Sequence, residues 1–294
     1  MDLALVNPQA GGGRAARLVA PLRSALAEGA PGCRLHVAAS VADGLGQLAA
    51  LPRGSRVLVV GGDGTLNRLL PGLLAGDHGL SLLPSGSGND TARALGLHGM
   101  PWRSALEVAR SGRERRIDLG EADCDGRTVP FVSSFSAGFD AAVCRRALEG
   151  PRFLTGLPRY LLATLREVAA LRLHRLRVAV DGIPVHEGEA LFAASLNTPS
   201  FGSGMPAVPG ARIDDGRLDL LLAGRFGRAG ALAMLPRLMA GRHLGDARVE
   251  TRDFARLDLT CDTPLPVAAD GEYLGRVTGL RIRVLAHALT VAQP

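Results

Sequence analysis

Apolar residues in the first 110 positions fall into short solid runs, each followed by turn residues and then by apolar positions at helical spacing. Leu3-Ala4-Leu5-Val6, Val57-Leu58-Val59-Val60 and Leu80-Ser81-Leu82-Leu83 are such runs, and Arg34-Leu35-His36-Val37 is a mixed one. Runs of this length predict strands buried on both faces, as in a parallel sheet. Leu66, Leu69, Leu70, Leu73 and Leu74 predict a helix behind the third strand, and weaker periodicities predict helices over 14–26 and 43–50. This rhythm predicts a doubly wound, Rossmann-like α/β domain over 1–119. From residue 120 the pattern changes to short alternating segments at 129–133, 175–180, 191–196, 217–222, 256–260 and 279–284, punctuated by Asp181-Gly182, Asp215-Gly216 and Asp270-Gly271. Alternation with Asp-Gly turns predicts an antiparallel, β-sandwich-like second domain over 120–294, whose last residues return to the first. Helices are predicted within it at 160–173 and 228–239.

Two strand ends carry candidate chemistry. The third strand runs into Gly61-Gly62-Asp63-Gly64-Thr65-Leu66-Asn67, and the fourth into Pro84-Ser85-Gly86-Ser87-Gly88-Asn89-Asp90. Glycines let backbone N–H groups approach phosphate, and a helix N-terminus favours negative charge, so both loops predict a nucleotide crevice at the carboxyl edge of the sheet. Asp63 does not attract phosphate; a carboxylate there serves Mg²⁺ or acts as a base. The first strand ends in Asn7-Pro8 and Gly11-Gly12-Gly13, which fits neither the Walker pattern nor a clean G-x-G-x-x-G. Arg14 beyond it is either a phosphate ligand or a solvated first-turn arginine.

Composition narrows the chemistry. Aromatic residues make up only 4% of the 294 residues, so the core rests on Leu, Val and Ala. The 34 basic residues are all arginine, which excludes a lysine Schiff base or a Walker lysine. A net charge of +6 suits anionic ligands or an anionic membrane surface, while the lack of a dense basic tract with interleaved aromatics argues against nucleic acid. Four scattered cysteines without a CxxC pair fit a reducing cytoplasm, and neither a secretory signal nor an apolar run of roughly 20 residues is present.

Taken together, these motifs resemble a known family. Gly61-Gly62-Asp63-Gly64-Thr65 is similar to the core shared by diacylglycerol-kinase catalytic domains, sphingosine kinases and NAD kinases. Asn7-Pro8 with Gly11, the 84–90 loop, Asp215-Gly216-Arg217-Leu218 and Asp270-Gly271-Glu272 select the bacterial diacylglycerol kinase/lipid kinase family of the soluble type. The resemblance implies a lipid kinase that transfers the ATP γ-phosphate to a lipid hydroxyl in a cleft between the two domains, with a role in phospholipid metabolism. It implies Glu272 as general base with Asp270 beside it, the two sharing a strand face. Asn7, Ser40, Gly61, Gly62, Asp63, Gly64, Thr65, Leu66, Asn67, Gly86, Ser87 and Asn89 would contact nucleotide. Asp63, Asp90 and Asp118 would organise Mg²⁺, and a structural Mg²⁺ would sit on Asp215 and the carbonyls of Arg212 and Arg217. The implied partner is a lipid with a free hydroxyl, its chains in an apolar groove near Phe131, Phe135, Phe139 and Phe201. Peripheral membrane contact is expected through the 160–173 helix and Arg159, Arg166, Arg172 and Arg175, though a plain core-packing helix fits as well; a homodimer stays open. Arg68 where the family has Glu, and Ser87 where it has Thr, depart from the pattern. The rival readings are an NAD kinase and a degenerate nucleotide- or lipid-binding protein.

Overall fold

A computed structural model describes residues 1–151, 154 and 156–294. The chain divides into two compact units, Met1–Ile117 with His287–Pro294, and Asp118–Ala286.

The first unit contains β1 (Leu3–Val6), α1 (Ala10–Arg17), α2 (Val19–Gly29), β2 (Arg34–Val37), α3 (Val41–Ala49), β3 (Arg56–Gly61), α4 (Asp63–Ala75), β4 (Gly79–Pro84), α5 (Asp90–Ala94) and α6 (Trp102–Ser111). Its sheet is parallel in the order β4-β3-β1-β2. At the chain's end Val291 adds in parallel beside Leu80. β1 and the apolar run of β3 are buried throughout because helices cover the sheet. On one side Leu58 and Val60 pack against Leu22 and Leu26 of α2 and Leu106 of α6. α4 buries Leu66, Leu69, Leu70 and Leu73, the helical stripe the sequence predicts. The helix expected over 14–26 is instead broken at Leu18, and Gly11, Gly12 and Gly13 precede it in left-handed conformation. Three consecutive residues of that hand are open only to glycine, so the first turn cannot be regular α-helix.

The second unit is formed by β5 (Arg113–Cys124), β6 (Arg127–Phe131), β7 (Ser134–Gly138), α7 (Phe139–Leu148), α8 (Gly156–Ala169), β8 (His174–Val180), β9 (Ile183–Ala190), β10 (Phe192–Leu196), β11 (Leu218–Ala223), α9 (Arg228–Met239), β12 (Val249–Phe254), β13 (Arg256–Ala269) and β14 (Glu272–Gln293). The ends of β5 and β14 belong to the first unit. β12, β11, β10, β7 and β13 form an antiparallel run. β13 also joins a second layer: residues 257–261 pair with β8, residues 267–269 with β7, and its register against β14 shifts between them. One strand serving two sheets through an irregularity is how sandwiches turn a corner. Asp125-Gly126, Asp181-Gly182 and Asp270-Gly271 close two-residue hairpins with positive φ at both positions, matching the twist of the flanking strands.

Asn197 stitches this unit from within. Fully buried, it donates Nδ2 hydrogens to the carbonyls of Asp118 at 2.7 Å and Val132 at 2.8 Å, and its own N–H bonds the Ser133 carbonyl at 2.9 Å. No helix among the described residues is long and apolar enough to cross a membrane. Replacing Asn197 by Ala strands two buried carbonyls. Asn197→Ala is expected to lower stability by about 1–3 kcal/mol, read from chemical denaturation; an unchanged midpoint would show that the two carbonyls find other partners.

Candidate active site

Three loops follow the neighbouring strands β1, β3 and β4 at one carboxyl edge, the usual ligand position in parallel sheets. Gly61 ends β3 and Gly62 caps α4 in extended conformation, so strand becomes helix across one residue. A Cβ on Gly62 would lie 2.5 Å from the Gly86 Cα, and a Cβ on Gly86 2.5 Å from the Gly62 Cα. The two loops cross backbone against backbone, which only glycine at both positions permits.

Asp63 ties the crossing together. Its two carboxylate oxygens accept the N–H groups of Asp90 at 2.9 Å and Thr91 at 3.1 Å, the first residues of α5. Burial, and then the Asp90 charge, push Asp63 above the ordinary carboxylate range. Asn89 closes its own loop: Oδ1 accepts the Gly86 N–H at 3.0 Å, and Nδ2 donates to the Gly86 carbonyl at 2.9 Å. Asn7 donates to Thr65 Oγ1 at 2.8 Å, joining the first loop to the second. Arg14 donates to the carbonyls of Gly11 at 3.1 Å and Gly86 at 3.0 Å, so it braces the loops in addition to supplying charge. Gly64, Thr65 and Asn67 lie on the first turns of α4, and Ser87 is exposed at its loop's tip.

Two expected nucleotide contacts also have structural roles. Ser40 caps α3, its Oγ accepting the Asp43 N–H at 3.0 Å. Leu66 is 1% exposed and its N–H bonds the Gly62 carbonyl at 3.0 Å, so its side chain packs in the core. Ser85 was missed by the sequence reading, although it lies in the same loop. Its hydroxyl is buried without a partner, a cost of about 1–3 kcal/mol that a ligand acceptor or donor would relieve.

In the second unit, Asp270 and Glu272 do not share a strand face. Asp270 is in the turn at φ +47, and Glu272 is the first residue of β14. The buried Asp270 carboxylate accepts three backbone N–H groups, from Val132 at 3.0 Å, Ser133 at 2.7 Å and Ser134 at 3.1 Å. Its own N–H donates to the Ser134 carbonyl at 2.8 Å. Asp270 therefore fixes the turn that presents Glu272. The Cys144 thiol is raised well above its usual range by burial and then by the charges of Asp140 and Glu272.

Asp118 belongs to this unit rather than to that of Asp63 and Asp90. Its carboxylate accepts the Gly216 N–H at 2.6 Å and its N–H bonds the Ile213 carbonyl at 2.7 Å, holding the 213–216 loop. Among the described residues no three His, Cys, Asp or Glu side chains cluster as a metal cage. In the held loop Asp215 is exposed and accepts the Arg217 N–H at 3.1 Å, and Arg212 is exposed. The Arg217 guanidinium is committed to Asp253 at 3.0 Å and Asp181 at 2.9 Å, leaving its carbonyl as the relevant group. Asp219 is pushed up to about 6 by burial and then by the charges of Asp215 and Asp253.

An apolar cavity of about 710 Å³, its open mouth included, lies within the same unit among α7, α8, β10, β11 and α9. Phe139 and Phe201 line it, as expected of an acyl groove. Phe131 and Phe135 do not: both are buried in the β core with rings 5.7 Å apart, because strands β6 and β7 turn them inward. α8 buries Ala163, Thr164 and Val168, and Arg146 pairs with its Glu167 at 2.6 Å, so this helix is packed into the unit. Arg175 is drawn away to Glu187 at 3.7 Å, and Arg159 donates to the Leu148 carbonyl.

Comparison with known proteins agrees with both halves. Residues 3–122 match the diacylglycerol kinase catalytic domain, and residues 133–293 the YegS C-terminal NAD kinase beta sandwich-like domain. A diacylglycerol kinase of Mycobacterium tuberculosis (strain ATCC 25618 / H37Rv) is 32% identical over 248 residues, covering 84% of this chain and 79% of that protein. A Pseudomonas aeruginosa protein named "Probable lipid kinase YegS-like" is 33% identical over 251 residues, covering 83% and 79%. The crystal structure of a diacylglycerol kinase from Bacillus anthracis str. Sterne superposes with a TM-score of 0.72 at 18% identity over 99% of this chain and 96% of that one, a likeness of fold. The chain belongs to the family of diacylglycerol kinases and YegS-like lipid kinases.

Proposed function

We propose that this protein transfers the γ-phosphate of ATP to the free hydroxyl of diacylglycerol or a related lipid, with Mg²⁺. The observation that carries the nucleotide half is the Gly62–Gly86 crossing, where bare backbone, two helix N-termini and the orphaned Ser85 hydroxyl meet around Asp63. Such a cradle suits phosphate oxygens. Glu272 takes the proton of the acceptor hydroxyl as the new bond to the γ-phosphorus forms and the bond to ADP breaks. Asp270 is a positioning residue for it. Bound Mg²⁺ supplies neutralisation of phosphate charge. Asp63, with one N–H on each oxygen, suits contact with that ion through water, together with Asp90. The loop of Asp215 and the Arg212 and Arg217 carbonyls suits a separate structural ion, because a divalent charge would relieve the crowding of Asp215, Asp219 and Asp253. Peripheral contact with an anionic membrane is part of this reading. Leu165 of α8 and Leu232 and Met239 of α9 are exposed at 51%, 44% and 43%, and exposed arginines such as Arg166 accompany them.

Purified protein with labelled ATP in mixed micelles is expected to phosphorylate diacylglycerol or a related lipid, and not NAD. Glu272→Gln should lower kcat by about 10²–10⁴-fold with ATP binding and unfolding temperature kept; full turnover in that variant would exclude Glu272 as the base. Asp270→Asn sets an amide against backbone N–H groups and should instead lose stability, by about 1–3 kcal/mol, measurable as an earlier unfolding transition. Mg²⁺ should raise the unfolding temperature of the parent but not that of Asp215→Asn, and an equal rise in both would place the ion elsewhere.

A further inference from the structure

Helix α9 is apolar on nearly every side, yet no residue of it is buried. Of its 12 residues only Arg228 and Arg237 are polar. Ala231, Met234, Leu235 and Leu238 recur at helical spacing and line the apolar cavity. They are half-buried, as side chains are that face open space instead of packed neighbours. Leu232 and Met239 lie about a quarter turn away and are exposed at 44% and 43%, and exposed alanines and Pro236 continue this outer face. A helix with this pattern belongs between two apolar surroundings, as in a protein core or a membrane. One of them is the cavity. With 12 residues α9 cannot cross a bilayer, which takes about 20, so a membrane would hold it in the interface plane.

The charges around the helix select what covers its outer face. Residues 225–245 contain four exposed arginines, Arg225, Arg228, Arg237 and Arg242, and no Asp or Glu. Arg225 pairs with Glu189 at 3.1 Å and Arg237 with Asp246 at 3.5 Å, whereas Arg228 and Arg242 have no ion pair among the described residues. On the neighbouring α8, Leu165 is exposed at 51% beside the exposed Arg166, and the acid of that helix, Glu167, is buried against Arg146. A second copy meeting this face would set arginine against arginine. An anionic lipid surface would take the arginines at its phosphates and Leu232 and Met239 in its acyl layer. Gly227 and Gly241 bound the helix, Gly241 at φ +66, and Pro236 has no N–H to close on the Leu232 carbonyl. A helix so bounded and so little buried shifts at low cost. Resting on the lipid-kinase reading above, we propose that α9 is a gate laid in the membrane. Its outer face enters an anionic bilayer, its inner face stays on the cavity, and a substrate chain passes around it without crossing water.

The test places an environment-sensitive nitrobenzoxadiazole label on Leu232→Cys in a Cys33→Ser background, the other three cysteines being buried. With vesicles containing phosphatidylglycerol the label should brighten and shift to the blue. The same label on Ile183→Cys, a position exposed at 65% in β9, should not respond. Leu232→Glu should lower turnover of dioleoylglycerol in those vesicles by at least about tenfold with the unfolding temperature kept. Its loss on dispersed dioctanoylglycerol, whose short chains need no bilayer, should be much smaller. Arg228→Glu combined with Arg242→Glu should remove any preference for phosphatidylglycerol over phosphatidylcholine vesicles. The label response needs no turnover and decides the matter even where Leu232→Glu does not fold. A silent label at position 232, or full vesicle turnover in a folded Leu232→Glu, would overturn the proposal. A label response that follows protein concentration without lipid would also overturn it, because a second copy would then cover the face. Insertion of α9 without phosphorylation of any lipid would sink the kinase reading and leave this inference standing. Phosphorylation of vesicle lipid with a silent label would do the reverse.

Discussion

The close crossing of Gly62 and Gly86 is the constraint on which the nucleotide half of this protein depends. Two loops from neighbouring parallel strands approach until a single methylene on either would collide with the other's backbone. Asp63 makes that approach stable by accepting the first N–H groups of α5 from across the crossing, and Asn89 and Arg14 hold the Gly86 side from within and from the first loop. The carboxylate is thereby charged with two tasks, structural and electrostatic. Its affinity for a proton is raised by the same burial that lets it hold α5.

The second unit solves a related problem with a different device. A two-residue hairpin would ordinarily leave its Asp side chain in water. Here the left-handed Asp270 turns its carboxylate inward onto three consecutive backbone N–H groups of 132–134. That anchors the start of β14, where Glu272 stands, to the strand β7 at the centre of the sheet. Asp118 plays a comparable part for the 213–216 loop. In both cases a carboxylate that belongs to a family motif acts on backbone amides first, and any catalytic or metal role is exercised from that fixed position.

The cavity wall of the second unit is made largely of Phe, Leu and Met. Apolar lining alone would accept any hydrocarbon chain, since burial is non-directional.

The residues by themselves determined a good deal. Solid apolar runs at β1, β3 and β4 could be read as a buried parallel sheet because side chains on both faces must be apolar, and the Asp-Gly pairs marked hairpins because few other dipeptides tolerate that turn. The glycine loops and Asp63 pointed to phosphate, and the order of motifs along the chain pointed to the lipid-kinase family. Other elements were hidden. β7, with Ser134, Ser136 and Gly138 among its five buried residues, carries no alternation because it is covered on both faces and hydrogen-bonded on both edges. Spacing also placed Asp270 beside Glu272 on a strand; the positive φ of the turn sent its carboxylate elsewhere. Ser85 and Ser87 look alike in sequence, and burial alone leaves the first hydroxyl orphaned. Phe131 and Phe139 look equally suited to an acyl groove, and only packing sends one into the core and the other to the cavity. Local patterns follow from the chain's own geometry, whereas the partner of each side chain depends on segments tens or hundreds of residues away. For Gly61–Asn67 the residues pointed to phosphate. The tertiary structure showed what holds the loop itself: a second glycine 24 positions on, and a carboxylate bound across the crossing.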